Sequence, residues 1–137
     1  MSKIDKCEHL GQVSNPLVLA VSAAIAFQSA IGKDTVRDRI RILASRFKEG
    51  VSKIAGVTVF TPESAEFSSG ITTFTMRDLP NQKLRDWLAG RHNIVVDTAG
   101  RPSNAVRVST HIYNSFEQID RLLEALTQAS AKGLVTS

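Results

Sequence analysis

A chain of 137 residues holds one domain, with enough polypeptide for a hydrophobic core of its own. At 42% hydrophobic and 22% charged residues the composition is that of a soluble globular protein, and a single cysteine, Cys7, excludes an internal disulfide. The net charge of +4 brings nucleic acid into consideration, but no basic run is interleaved with aromatics as a stacking platform requires.

Residues 1–12, MSKIDKCEHLGQ, lack the apolar core of a signal peptide and read as a flexible segment. The longest apolar stretch, PLVLAVSAAIAF, falls short of the roughly 20 residues that span a bilayer. No membrane is expected, and a reducing cytoplasm is the expected location. Asn15 and Pro16 signal a helix start, with the amide as cap and proline at the first helical position. From Leu17 to Phe27 the chain is apolar on nearly every face, so this helix needs cover all round, from a larger body or a partner subunit.

After Gly32, Asp34 opens a longer helix. Val36, Ile40, Leu43, Phe47, Val51 and Ile54 step by three or four and form an amphipathic stripe that Gly56 closes. Arg37, Arg39, Arg41 and Arg46 lie on the same helix beside Asp38, as a solvated face would. VTVF at 57–60 predicts a short strand, 63–69 a polar loop, and GITTFTM at 70–76 a second strand rich in β-branched residues. A short helix is predicted over 81–89, with Leu84, Trp87 and Leu88 inward and Gly90 as its stop.

NIVVDT at 93–98 predicts the third strand, AGRPSN a turn, and AVRVSTHI at 105–112 the fourth strand. The last helix begins at Asn114, with Glu117 completing a capping box and Phe116, Ile119, Leu122, Leu123 and Leu126 as its buried stripe. The fold class is α+β: a small, mostly antiparallel sheet with helices on one face, preceded by two N-terminal helices. The domain runs over 13–133, with two helices in 13–56, an α/β sandwich in 57–133, and a tail at 134–137.

Arg107 is the conspicuous residue. Side chains alternate along a strand, so Val106 and Val108 face the helices while Arg107 and Ser109 face the uncovered side. A solvated arginine on a half-exposed strand satisfies this pattern. So does a carboxylate clamp, because a planar guanidinium fixed on a strand offers paired donors to both carboxylate oxygens. Composition and spacing leave both open.

VRVSTHIYNSFEQIDRLLEAL resembles the C-terminal signature of the class V aminotransferase family of pyridoxal-phosphate enzymes, which includes cysteine desulfurases, selenocysteine lyases and isopenicillin N epimerase-like proteins. SSGITTFTM resembles the family's small-domain strand, and RHNIVVDT the strand after the short helix. LGQVSNPLVLAVSAAIAFQSAIGKDTVRDRI is similar to the segment joining the two domains, so the likeness covers about residues 9 to 128. It implies that Arg107 binds the substrate's α-carboxylate, with Ser109, Tyr113 and Asn114 as its matching neighbours. It also implies that the apolar first helix packs between the large domain and the second subunit of a homodimer.

By the same resemblance Gly11 and Gln12 approach the cofactor phosphate, although an ordinary turn before a helix fits them too. The family's Schiff-base lysine follows a histidine, whereas lysines 3, 6, 33, 48, 53, 83 and 132 here follow none. Pyridoxal phosphate is therefore expected in an intact enzyme and not on this chain alone, which should not catalyse by itself. The loop DTAGRPSNA carries no thiol where desulfurases place one, so an epimerase-like or aminotransferase-like relative is preferred. His111 shares Arg107's strand face by parity and reads as strand-end packing. His9 and His92 lack companions at metal-ligand spacing, so no metal is expected. The alternatives are a non-catalytic dimerisation or interaction module and a basic nucleic-acid-binding domain.

Overall fold

Alternation along two strands decides which face of this sheet is buried. In the computed structural model, which describes residues 14–102 and 104–134, β2 (Ile71–Met76) buries Thr72, Phe74 and Met76 and turns Ile71, Thr73 and Thr75 the other way. The next strand but one, β4 (Ala105–Ser109), buries Val106 and Val108. The two pair antiparallel, Phe74 opposite Val106 and Thr72 opposite Val108, so their apolar residues meet on one side. Outside them lie β1 (Val57–Val59) against β2 and β3 (Asp97–Ala99) against β4, giving the order β1-β2-β4-β3 with every pair antiparallel.

Helices α2 (Lys33–Val51), α3 (Asn81–His92) and α4 (Phe116–Lys132) give that face its cover. Leu43, Phe47 and Val51 from α2, Leu84 and Leu88 from α3, and Leu122 and Leu126 from α4 join Phe74 and Val106 in one core. The Phe47 and Phe74 rings lie 5.9 Å apart at 60°, a tilted pairing that adds about 1 kcal/mol beyond burial. The α+β class and the element order expected from the sequence are those observed.

Several boundaries move. α2 stops at Val51, and two tight turns, Lys53 N–H to Gly50 O and Ile54 N–H to Val51 O, carry the chain to Gly56. Gly56, at φ 78°, thus ends the turns and not the helix. α3 runs through Gly90 to His92, because glycine weakens a helix without ending it. Its left-handed cap is Asn93, at φ 54° and ψ 41°, and Ile94 N–H returns to Leu88 O at 3.1 Å.

The third strand begins only at Asp97 and not at Asn93: in the register that sets Asp97 opposite Arg107, residues 93 and 94 would fall past Ser109, where β4 ends, while 95 and 96 stay outside the ladder although Val108 and Ser109 belong to β4. The capping box at α4 lies one residue later than Asn114–Glu117. Ser115 Oγ accepts from Gln118 N–H at 3.2 Å, and Gln118 Oε1 accepts from Ser115 N–H at 3.1 Å. At the first helix, α1 (Asn15–Ile31), the cap position is Ser14 rather than Asn15.

By internal contacts the chain divides into two units, one ending at Val36 and one starting at Arg37. The first carries α1, which has no buried residue; Leu17 is 68%, Leu19 69% and Phe27 63% exposed. The second carries the sheet and the core. Within it Lys48, only 5% exposed, ties the β1–β2 loop down: Nζ donates to Pro62 O at 3.1 Å, Glu63 O at 2.7 Å and Ser68 Oγ at 2.8 Å. A buried ammonium is tolerated when its donors are met, and here three oxygens meet them.

On the surface Arg46 grips Asp120 in a bidentate pair, Nε to Oδ1 at 2.8 Å and Nη2 to Oδ2 at 2.7 Å, linking α2 to the second turn of α4. The Arg46 hydrogen bond holds the Asp120 carboxyl below its ordinary value, and Asp120 in turn raises Arg46. A carboxyl depressed in the folded state stabilises fully above its unfolded pKa, about 3.9, and loses that contribution as pH falls through the folded value. The expected outcome is that the urea midpoint falls less on acidification below about pH 4 in Asp120→Asn than in wild type. Parallel curves for the two proteins would show that the pair contributes nothing.

Candidate functional site

The uncovered face of the sheet gathers the polar residues that alternation turns away from the core. Thr73 on β2 stands opposite Arg107 on β4, and Arg107 stands opposite Asp97 on β3, so the three form a row across adjacent strands. Arg107 Nη2 donates to Asp97 Oδ2 at 2.6 Å, with side chains 44% and 60% exposed. The other Asp97 oxygen, Oδ1, accepts from Thr98 N–H at 2.8 Å. Arg107 is thus held at one nitrogen on the open side of the sheet, as alternation requires. An exposed pair of this kind contributes about 0–1 kcal/mol.

Of the residues grouped with Arg107 by sequence, only Ser109 shares this strand face. It is exposed, opposite Ile71 on β2. Tyr113 is 79% exposed and stacks on His111, with ring centroids 4.5 Å apart and 27° between the planes. His111 lies beyond the end of β4, and its Nδ1 is buried without a partner. Asn114 builds the turn: Oδ1 accepts from His111 N–H at 2.8 Å, Nδ2 donates to Gln118 Oε1 at 3.0 Å, and its carbonyl accepts from Arg39 Nη2 at 2.9 Å. It serves the backbone, its side chain accepting from an N–H three residues back, and joins β4 to the α4 cap.

The C-terminal end of β4 is fixed by a close backbone approach. Thr110 N–H and Oγ1 both donate to Gly70 O, at 2.7 and 3.1 Å. A Cβ on Gly70 would lie 2.6 Å from Thr110 O and 2.6 Å from Ile40 Cγ2, so glycine is required there. Beside this end a cleft of about 200 Å³ opens between residues 93–96 and α4, with Ser109, Asn114, Gln118 and Arg121 on its walls. Three of its polar side chains are already engaged, Arg121 with His92 O, Gln118 in the helix cap and Asn114 in the turn.

Gly11 and Gln12 lie outside the described residues, as do Cys7 and His9. Among the described residues no group of three or more His, Cys, Asp or Glu side chains is placed to hold a metal ion. Nor is any single helix long and apolar enough to cross a membrane. Asp97 and Thr73 were not singled out by sequence, since strand register, which alone puts them beside Arg107, is not written in either strand.

Comparison with known proteins bears on this arrangement. The family model described as Aminotransferase class-V matches residues 9–122. The isopenicillin N epimerase of Amycolatopsis lactamdurans is 38% identical over 114 residues, which are 82% of this chain and 29% of that protein. That of Streptomyces clavuligerus is 33% identical over 110 residues, 79% of this chain and 28% of that protein. The apo structure of a cysteine desulfurase from Thermococcus onnurineus NA1 superposes with a TM-score of 0.73 at 23% identity, covering 79% of this chain and 29% of that one. The chain therefore spans under a third of the length of these relatives.

Gly70→Ala tests the pinning of β4. With a backbone carbonyl in the way the clash has no cheap relief, and a loss of about 1–3 kcal/mol in unfolding free energy is expected by urea titration. An unchanged midpoint would show that the two strands separate freely at this point.

Proposed function

We propose, from the premise that this chain belongs to the class V aminotransferase family, that its sheet closes over an amino-acid substrate and that Arg107 grips the substrate's α-carboxylate. One observation supports the reading above others. Arg107 is seated in the middle of a paired strand, on the open face, with a single exposed carboxylate as partner. A guanidinium so mounted keeps its direction without help from a loop, and pre-set direction is what holding a substrate for chemistry demands. Its planar fork suits both oxygens of a carboxylate.

The family's intact enzymes are pyridoxal-phosphate dependent. Lys48, the lysine buried in the core unit, has its ammonium on three oxygens and is not offered to an aldehyde. In this reading the attachment lysine belongs to a large domain, Gly11 and Gln12 offer donors to the cofactor phosphate, and the chain alone does not catalyse. An epimerase-like reaction is favoured over a desulfurase, since residues 97–105 carry no thiol and the two curated relatives named above are isopenicillin N epimerases. A reducing, cytoplasmic setting suits a chain with one cysteine.

In the pyridoxal-phosphate enzyme that contains this chain, Arg107→Ala is expected to weaken amino-acid binding by about 2–3 kcal/mol, roughly 30- to 150-fold. Arg107→Lys should recover part of it, since lysine keeps the charge and loses the fork. Unchanged substrate affinity in Arg107→Ala would end the clamp reading.

A second reading concerns α1 and stands on its lack of any buried residue. A helix with Leu17, Leu19, Val21, Ile25 and Phe27 all more than half exposed needs a covering surface. In this reading a second copy of the chain supplies it, as a homodimer. Sedimentation velocity at micromolar concentration is expected to give a dimer, and Leu19→Glu with Ile25→Glu a monomer. A wild-type monomer would remove the role.

A further inference from the structure

We infer that Asp97 is a resident occupant of the Arg107 site, a carboxylate that the incoming ligand carboxylate displaces. The inference rests on the clamp reading and deepens it by naming what the clamp holds before substrate arrives.

The geometry gives three reasons. Asp97 engages the guanidinium through one oxygen and one nitrogen only, Oδ2 to Nη2 at 2.6 Å. A ligand that takes two parallel bonds has the advantage over a partner that takes one. The pair is also open to water, at 44% and 60% side-chain exposure, so its mutual attraction is screened and small. Finally, Asp97 does not become an orphan on release. Its Oδ1 keeps the Thr98 N–H at 2.8 Å, and its other oxygen faces solvent. The carboxylate therefore has a stable resting place with Arg107 gone, and β3 holds it within reach for return.

Asp97 carries a second consequence. While it stays near, it repels any other carboxylate on the same guanidinium. Two carboxylates about 5 Å apart in a water-like medium repel by roughly a four-fold factor in affinity. Together with the competition, removing the Asp97 charge should tighten carboxylate binding roughly three- to ten-fold. Asp97 thus sets the threshold a ligand must exceed, and favours a full bidentate carboxylate over a weak, single-point anion. A structural ion pair has the opposite signature, since losing it would loosen Arg107 and weaken binding.

The test uses the full chain with arginine labelled in 13C and 15N, and sodium acetate as the probe, against sodium chloride at equal ionic strength. The Arg107 Nε–H and Cζ resonances are identified by their loss in Arg107→Lys. Acetate is expected to shift them in wild type, and Asp97→Asn to lower the apparent dissociation constant roughly three- to ten-fold. Asp97→Ala, which cannot hydrogen-bond Arg107 at all, should move it the same way. If Arg107 responds to acetate but binding is unchanged or weaker in both variants, the displacement role is overturned and the clamp stands. If Arg107 responds in none of the three proteins, the clamp reading fails and the occupant role falls with it.

Discussion

The β2–β4 ladder is the constraint on which the rest of this structure depends. Its register places Phe74 opposite Val106 and Thr72 opposite Val108, and the same register places Thr73 opposite Arg107. Because side chains alternate with a period of two, a slip by one residue would move every one of them to the other face. Val106 and Val108 would then stand in water, and Arg107 would enter a core built of Phe47, Phe74, Leu84 and Leu126. Burying an unpaired guanidinium costs several kcal/mol, and exposing two valines forfeits about 2 kcal/mol each. Both penalties act in the same direction, so packing on one side of the sheet fixes the charge on the other. The cation's position is a consequence of the core.

That constraint fixes the middle of β4, and different physics fixes its end. Gly70 lets the backbone of Thr110 approach so closely that both its N–H and its hydroxyl bond to one carbonyl. Immediately beyond, Asn114 satisfies the His111 N–H and reaches Gln118, whose own oxygen caps Ser115. Strand, turn and helix are thus joined by a continuous run of hydrogen bonds. Arg39, 4.6 Å from the centre of the Phe116 ring, closes the same corner from α2 and donates to the Asn114 carbonyl. The arrangement explains why a motif spanning strand and helix has the composition it does. Thr110, Asn114, Ser115 and Gln118 serve the backbone, while Arg107 and Ser109 face outward on the strand.

Much of this was legible in the sequence, for reasons that can be named. The stripe through Leu43, Phe47 and Val51 and the valines flanking Arg107 are period signals, and a core enforces periods strictly. Element order and the outward direction of Arg107 followed from them. Boundaries were less legible, since a glycine such as Gly90 ends a helix only when the backbone needs a left-handed residue there, and Asn93 met that need instead. Strands suffer in another way. Residues 93–96 have the composition of a strand, yet the ladder with β4 starts only at Asp97, and composition does not say where pairing starts. The Asp97 partner of Arg107 was illegible on the same ground, because register belongs to two strands at once. Lys48 was hidden too. Its burial depends on three oxygens brought by a loop whose path the sequence does not state.

α1 and α2 show how differently neighbouring helices can relate to the rest of a protein. α2 has one apolar face, and that face is spent inside the core unit, on Leu43, Phe47 and Val51, while its arginines remain at the surface or at its edge. α1 has apolar residues around its whole circumference and none of them is buried. Water does not favour such a surface, and helix propensity cannot offset it, since Val18, Val21 and Ile25 are β-branched and gain little from the helical backbone. What favours an all-round apolar helix is contact on several sides at once, which one surface of a small domain cannot give. The composition of α1 is therefore evidence about its surroundings. An all-round apolar composition of this kind suits a helix with protein on more than one side.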